Sequence, residues 1–155
     1  MGEKGVKVIK FTVPGQPQGK ARARTFYNGN MGRMQSVTPE KTVLYENLIK
    51  SCYEKKAEED MIEGFFNGEP VRMSIEAVFD IPKSKSKKVK AQMHTGAILP
   101  TKKPDADNIA KVVCDALNGV AYKDDTQVCS LTVIKRYTTA EENGPGVEIS
   151  ISKLM

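Results

Sequence analysis

The 155-residue chain predicts an α+β domain: a mixed β-sheet with helices packed mainly on one face, in a single domain spanning 1–155. Three observations carry this expectation. Residues Lys7 to Val13 and Val71 to Ile81 alternate apolar and polar side chains with the period of two that marks half-buried strands. Two more strand-like runs, Val128 to Tyr137 and the alternating Val147, Ile149 and Ile151, close the chain. Helical patterns fall between these runs, giving the order strand, loop, helix, strand, helix, helix, strand, strand. The length suits one domain and suffices to bury a core without disulfides or structural metal.

The first strand turns Ile9, Phe11 and Val13 to one side and Val8, Lys10 and Thr12 to the other, and Pro14 ends it. Residues 15–36 are expected to be a flexible basic loop, with a turn over Gly15 to Gly19 and a hairpin tip or mobile loop at Asn28-Gly29. Thr38-Pro39-Glu40 reads as a helix start, with Thr38 as cap and Pro39 at the first helical position. Val43, Leu44, Leu48 and Cys52, with Ile49 beside them, form the expected buried stripe of that helix. In the second strand Val71, Met73, Ile75, Ala77 and Phe79 share one face, and Pro82 stops it. Ser86 is placed to cap a short lysine-rich helix through about Met93, and Asp107 to Asn118 reads as a helix ended by Gly119.

Composition excludes several classes. No apolar run is long enough to cross a membrane, and Met1-Gly2-Glu3-Lys4 has no signal-peptide core, so a cytoplasmic location is expected. Cys52, Cys114 and Cys129 are far apart and odd in number, which fits buried reduced thiols rather than a disulfide frame or zinc site. His94 is the sole histidine, read as a surface residue of a basic segment. The net charge is +5, and its distribution matters more: residues 81–104 hold seven lysines and no acid. A second basic cluster is Lys20, Arg22 and Arg24. Such concentrations attract polyanions, although a charge run by itself is commonly a solvated face.

The segment Lys103-Pro104-Asp105-Ala106-Asp107-Asn108, followed by Lys111 and then Asp124-Asp125, is the most informative. With Asp107 at zero on a helical wheel, Lys111 falls near 40° and Asp115 near 80°, one polar face in successive turns. Clustered carboxylates repel one another unless a cation or a proton intervenes, and hard divalent ions take oxygen ligands. Each acid also has a plain structural account: an N-cap, an i, i+4 pair between Lys111 and Asp115, or turn residues at Asp124-Asp125. Composition alone leaves a metal site and these accounts evenly matched.

The run from Lys103 to Gly119, continued by Tyr122 to Val128, resembles the signature of the RusA-type Holliday junction resolvases of phages and prophages. The strand with Pro14-Gly15, the Gly19 to Arg24 segment and the Thr38-Pro39 helix start are similar more loosely. The resemblance implies a Mg²⁺-dependent endonuclease, with Mn²⁺ as a substitute, in which Asp105, Asp107 and Asp125 are the essential acids and Lys111 the active-site lysine. Asp124 matches the companion acid among the metal ligands, while Asn108 and Asp115 match supporting positions. Ala21 and Ala23 stand where many relatives carry a proline between arginines.

The same resemblance implies a homodimer acting on four-way DNA junctions, since a twofold pair of sites suits paired cuts. Lys20, Arg22, Arg24, Lys83, Lys85, Lys87, Lys88, Lys90, Lys102 and Lys103 are the expected phosphate contacts. Roles in DNA recombination and repair follow as expectations. Two rivals stand beside this reading: a nuclease cutting flaps, forks or other branched DNA, and a basic DNA-binding module without catalysis.

Overall fold

A computed structural model describes residues 7–154. The N-terminal stretch Met1 to Lys4 lies outside the described residues. The first strand, β1 (Val8–Pro14), pairs antiparallel with the last, β6 (Gly146–Lys153), which pairs antiparallel with β4 (Val71–Phe79). β4 then pairs in parallel with β5 (Val128–Tyr137), so the mixed four-stranded sheet runs β1-β6-β4-β5. The alternation read in β1 holds: Ile9, Phe11 and Val13 are buried. Register lines them up with Ile151, Ile149 and Val147, and these with Met73, Ile75 and Ala77, giving one continuous apolar face. The opposite face is polar, with Lys10, Ser150, Ser74 and Thr132 in one row.

Three helices cover the apolar face and one end of the sheet. α1 (Glu40–Glu59) packs on β1 and on α3 (Ala106–Leu117), while α3 also packs on β5. The Phe11 and Tyr53 rings meet edge-on with centroids 5.7 Å apart. α2 (Lys87–His94) is capped as expected, Ser86 Oγ accepting from the Val89 N–H at 3.3 Å. No helix of the described residues is long and apolar enough to cross a membrane.

Four expectations need correction. α1 starts one residue later than expected: Pro39 is the N-cap in extended conformation, its carbonyl accepting from Thr42 and Val43. The buried stripe of α1 is Thr42, Tyr45, Ile49, Tyr53 and Ala57, leaving Val43, Leu44 and Leu48 exposed. α1 carries apolar residues on two sides, and the side with the large tyrosines fills the space beside Phe11. His94 is half-buried rather than a free surface residue, because its Nδ1 lies 2.7 Å from the Thr138 carbonyl oxygen and tethers α2 to the end of β5. Cys129 is exposed, unlike the other two thiols.

Residues 15–36, expected as a flexible basic loop, hold all but the last residue of a hairpin of β2 (Arg24–Asn28) and β3 (Arg33–Val37). Asn28 organises its tip: Oδ1 accepts from the Asn30 and Met31 N–H groups, and Nδ2 donates to Gln35.

On the polar face Arg136 gathers Glu76 at 3.0 Å and Glu142 at 2.6 Å. The Arg136 guanidinium outweighs burial and holds the Glu142 carboxyl down at about 2, with the Thr139 N–H assisting. A carboxyl depressed by folding stabilises the native state above its unfolded pKa and loses that contribution as pH falls through the folded value. Stability should therefore decline between about pH 4.5 and 2, and Glu142→Gln should flatten that part of a denaturation-versus-pH curve. A second expectation concerns α1. Ile49→Ala should cost about 2–5 kcal/mol by urea unfolding, and Leu44→Ala under about 0.5 kcal/mol. Equal losses would restore the stripe read from the sequence.

Candidate active site

The apolar side of α3, comprising Ile109, Val112, Val113, Ala116 and Leu117, is fully buried. Burial of that side leaves Asp107, Lys111 and Asp115 in successive turns of the outward ridge. Asp107 and Lys111 are exposed and Asp115 half-buried. Asp105 occupies the N-cap position, yet its side chain makes no capping hydrogen bond. The i, i+4 pair of Lys111 with Asp115, the plain structural account of these two, is not formed; Asp115 Oδ2 lies 3.3 Å from the Lys20 ammonium.

The chain then turns back. Gly119 takes φ 73°, a region open to glycine, and its N–H donates to the Tyr122 carbonyl at 2.8 Å. The buried Tyr122 hydroxyl donates to the Cys114 carbonyl at 2.7 Å, which fastens the return segment to the C-terminal half of α3. Burial is the first cause pushing the Tyr122 hydroxyl well above its ordinary range, and it pushes the Cys114 thiol up to about 11.

Next comes a 3-10 turn, Asp125–Gln127, locked by a residue that sequence reasoning left without a role. Gln127 is buried; its Nε2 donates to the Phe65 and Glu69 carbonyls at 2.7 and 3.0 Å. Its Oε1 accepts from the Lys123 and Asp124 N–H groups at 2.9 and 3.1 Å. The spacing of Asp124 and Gln127 matches a capping box, and that was the signal available in the sequence.

Asp125 is half-buried, and its carboxyl is raised first by burial, then by a hydrogen bond with Asp124, then by the charges of Asp124 and Asp115. The acid of α3 that acts on Asp125 is therefore Asp115. Two turns of helix separate Asp107 from Asp115, about 12 Å along the axis. The Tyr122 and Gly119 bonds anchor the return segment near the latter. Among the described residues no three His, Cys, Asp or Glu side chains converge on one point. The acids instead form two groups on one ridge: Asp105 with Asp107 at its head, and Asp124 with Asp125 beside Asp115, with Lys111 between.

The basic residues lie in the segment that leads into α3 and in the arm held against it at Lys20. Lys83, Lys85, Lys87, Lys88, Lys102 and Lys103 are exposed, as are Arg22 and Arg24, and Lys90 is half-buried. The Lys102 ammonium stands 5.7 Å from the Phe79 ring centroid and 5.9 Å from that of Tyr137, at the end of the sheet where α2 is tethered. α2 and the head of α3 thus share one end of the molecule. Lys20, expected as a phosphate contact, is engaged within the protein: its ammonium is 2.5 Å from Glu46 of α1 and 3.3 Å from Asp115. Burial would lower its pKa, but the two carboxylates together raise it. The Asn108 carbonyl accepts from the Lys20 N–H at 3.0 Å, so Asn108 supports the arm.

Oxygen-donor acids on an exposed ridge, bordered by lysines and arginines, define a protein built to handle a phosphodiester polyanion. The chain belongs to the RusA family: the model described as endodeoxyribonuclease RusA matches residues 14–152. A protein of Bacillus subtilis (strain 168), described as "Uncharacterized protein YqaN", is 37% identical over 148 residues, covering 94% of this chain and 96% of that one. Family membership implies endodeoxyribonuclease activity and action on branched DNA junctions.

Gln127→Ala removes four hydrogen bonds of this turn, leaves the Phe65 and Glu69 carbonyls without their donor, and should cost about 2–4 kcal/mol in denaturant unfolding. A loss below about 0.5 kcal/mol would mean that the turn is held by other contacts.

Proposed function

We propose that the protein is a Mg²⁺-dependent endonuclease that resolves four-way DNA junctions by paired phosphodiester hydrolysis as a homodimer. The observation that carries this reading is the α3 ridge, where Asp105, Asp107 and Lys111 are exposed and the plain structural accounts of the acid cap and the lysine pair are not the ones the fold uses. The donor set fits a hard ion in kind. Mg²⁺ keeps several waters and is commonly held by one or two carboxylates with substrate phosphates, so each of the two acid groups has suitable donors. Asp105 with Asp107 would hold an ion at the head of the ridge, and Asp125, with Asp124 as a companion, an ion at the other group; Mn²⁺ would substitute.

When bound, the ion supplies Lewis-acid charge and a more acidic water. The chain's own residues do the rest. Lys111 stands between the two acid groups, where its ammonium balances the charge that develops on phosphorus oxygens. We assign Lys111 this electrostatic role rather than that of general base. Lys83, Lys85, Lys87 and Lys88 of the α2 region, with Arg22 and Arg24 on the arm, bind backbone phosphates and orient the duplex arms. Twofold symmetry would present two equal ridges to the two strands to be cut. An intracellular role in recombination or repair follows from this activity.

Two measurements test the reading. Purified protein with Mg²⁺ should cut synthetic four-way junctions into nicked duplexes in preference to flaps, forks and linear duplex. A preference for flaps or forks would shift the assignment to another branched-DNA nuclease, and binding without cutting would leave a passive DNA-binding protein. Asp107→Asn should retain junction affinity while cleavage falls by about 10³-fold or more, as expected when an interaction used mainly in the transition state is removed. Cleavage surviving in that variant would mean that Asp107 is not a ligand.

A further inference from the structure

The segment preceding the basic hairpin is fastened to the ridge at several points, and one of them bears on the acids. The Lys20 N–H donates to the Asn108 carbonyl at 3.0 Å, and Gly19 lies so close to α3 that a Cβ there would come within 2.9 Å of the Asn108 Cβ and 3.0 Å of the Pro104 Cβ. Any side chain at position 19 would push this segment off the helix. The Lys20 side chain then reaches both helices, meeting Glu46 of α1 at 2.5 Å and Asp115 of α3 at 3.3 Å. Its side chain is only 20% exposed, so this pairing is shielded from water more than a surface salt bridge. Asp115 adjoins Cys114, whose carbonyl accepts from the Tyr122 hydroxyl and so holds the segment leading to Asp124 and Asp125 against this end of α3.

We infer that Lys20 is a positioning residue of the active site: it claims the Asp115 carboxylate and keeps it out of the coordination shell of the ion proposed at Asp124 and Asp125. The inference rests on the metal-dependent reading above. Glu46 is what makes Lys20 a fixed counter-cation. An ammonium held from α1 is not free to follow a phosphate or to yield its place to an incoming ion. The basic arm that begins at Lys20 is therefore tied to the acid ridge through one side chain, and Arg22 and Arg24 leave that anchor for solvent.

The charge argument predicts a split that loosened packing does not produce. Lys20→Met removes a positive charge near the ion and frees Asp115, so the divalent ion should bind more tightly while cleavage falls. For a unit charge about 10 Å from a divalent ion in a water-like medium, the gain in affinity is roughly fourfold. Mn²⁺ binding to the free protein, read from the electron paramagnetic resonance of the unbound ion, measures this without DNA or turnover. Junction cleavage in Mg²⁺ is measured alongside, and circular dichroism melts check that each variant is folded.

Lys20→Met should lower the Mn²⁺ dissociation constant by roughly fourfold and slow cleavage by about tenfold. Lys20→Arg should return both toward the wild-type values. The double variant Lys20→Met/Asp115→Asn, which cancels the charge change, should bring Mn²⁺ affinity back to within about twofold of wild type. Unchanged or weaker Mn²⁺ binding by a folded Lys20→Met protein overturns the inference while the nuclease reading stands. Wild-type protein that neither binds Mn²⁺ nor cuts junctions in Mg²⁺ overturns both.

Discussion

Two parallel neighbouring strands cannot be joined by a tight turn, and this constraint organises the molecule. β4 and β5 pair in parallel, so the chain between them must cross back over the sheet, and α3 makes the return. α3 buries Ile109, Val112, Val113, Ala116 and Leu117 to do so. Its remaining side, with Asp107, Lys111 and Asp115, has nowhere to face but outward. The acid ridge is thus a by-product of the crossover: the side chains that stabilise the helix against the sheet also aim the chemistry at solvent. The crossover also separates the acids. Asp105 and Asp107 start the helix, whereas Asp124 and Asp125 introduce β5 beyond its far end.

Charge is arranged around this ridge with little neutralisation. The lysines of the α2 region carry no ion pairs among the described residues, which leaves a basic border free for a polyanion. The cations that are paired sit where structure needs them. Arg136 gathers Glu76, Glu142 and Glu148 on the polar face of the sheet, and Lys20 joins α1 to α3. Stability and polyanion attraction therefore draw on different positive residues. The polar networks follow the same division. Gln127, with its four backbone partners, spends its hydrogen-bonding capacity on the loop geometry before β5.

Most elements were legible along the chain. β5 was read as Val128 to Tyr137 and is found there, and the sides of β1 and β4 followed from alternation. The Ser86 cap and the Gly119 stop were also readable, because caps and left-handed turns depend on chemistry within a few residues. α1 was the clear failure. Val43, Leu44 and Leu48 make as good a stripe as Tyr45, Ile49 and Tyr53, and spacing within one helix cannot say which side meets the sheet. The partners of Lys20 were illegible for a related reason, since Glu46 and Asp115 lie 26 and 95 positions away.

By itself, then, the order of residues determined the strand and helix periods, the acid motif and the excess of positive charge, all of which are local or additive properties. The family membership rests on the same information. Only the tertiary structure decided which face of α1 is buried, that Asp125 answers to Asp115 rather than to Asp107, and that Lys20 is a strut between helices rather than a free cation. The physical reason is common to all three. Each outcome is set by which distant surfaces come into contact when the sheet closes around its core, and no short-range preference encodes that choice.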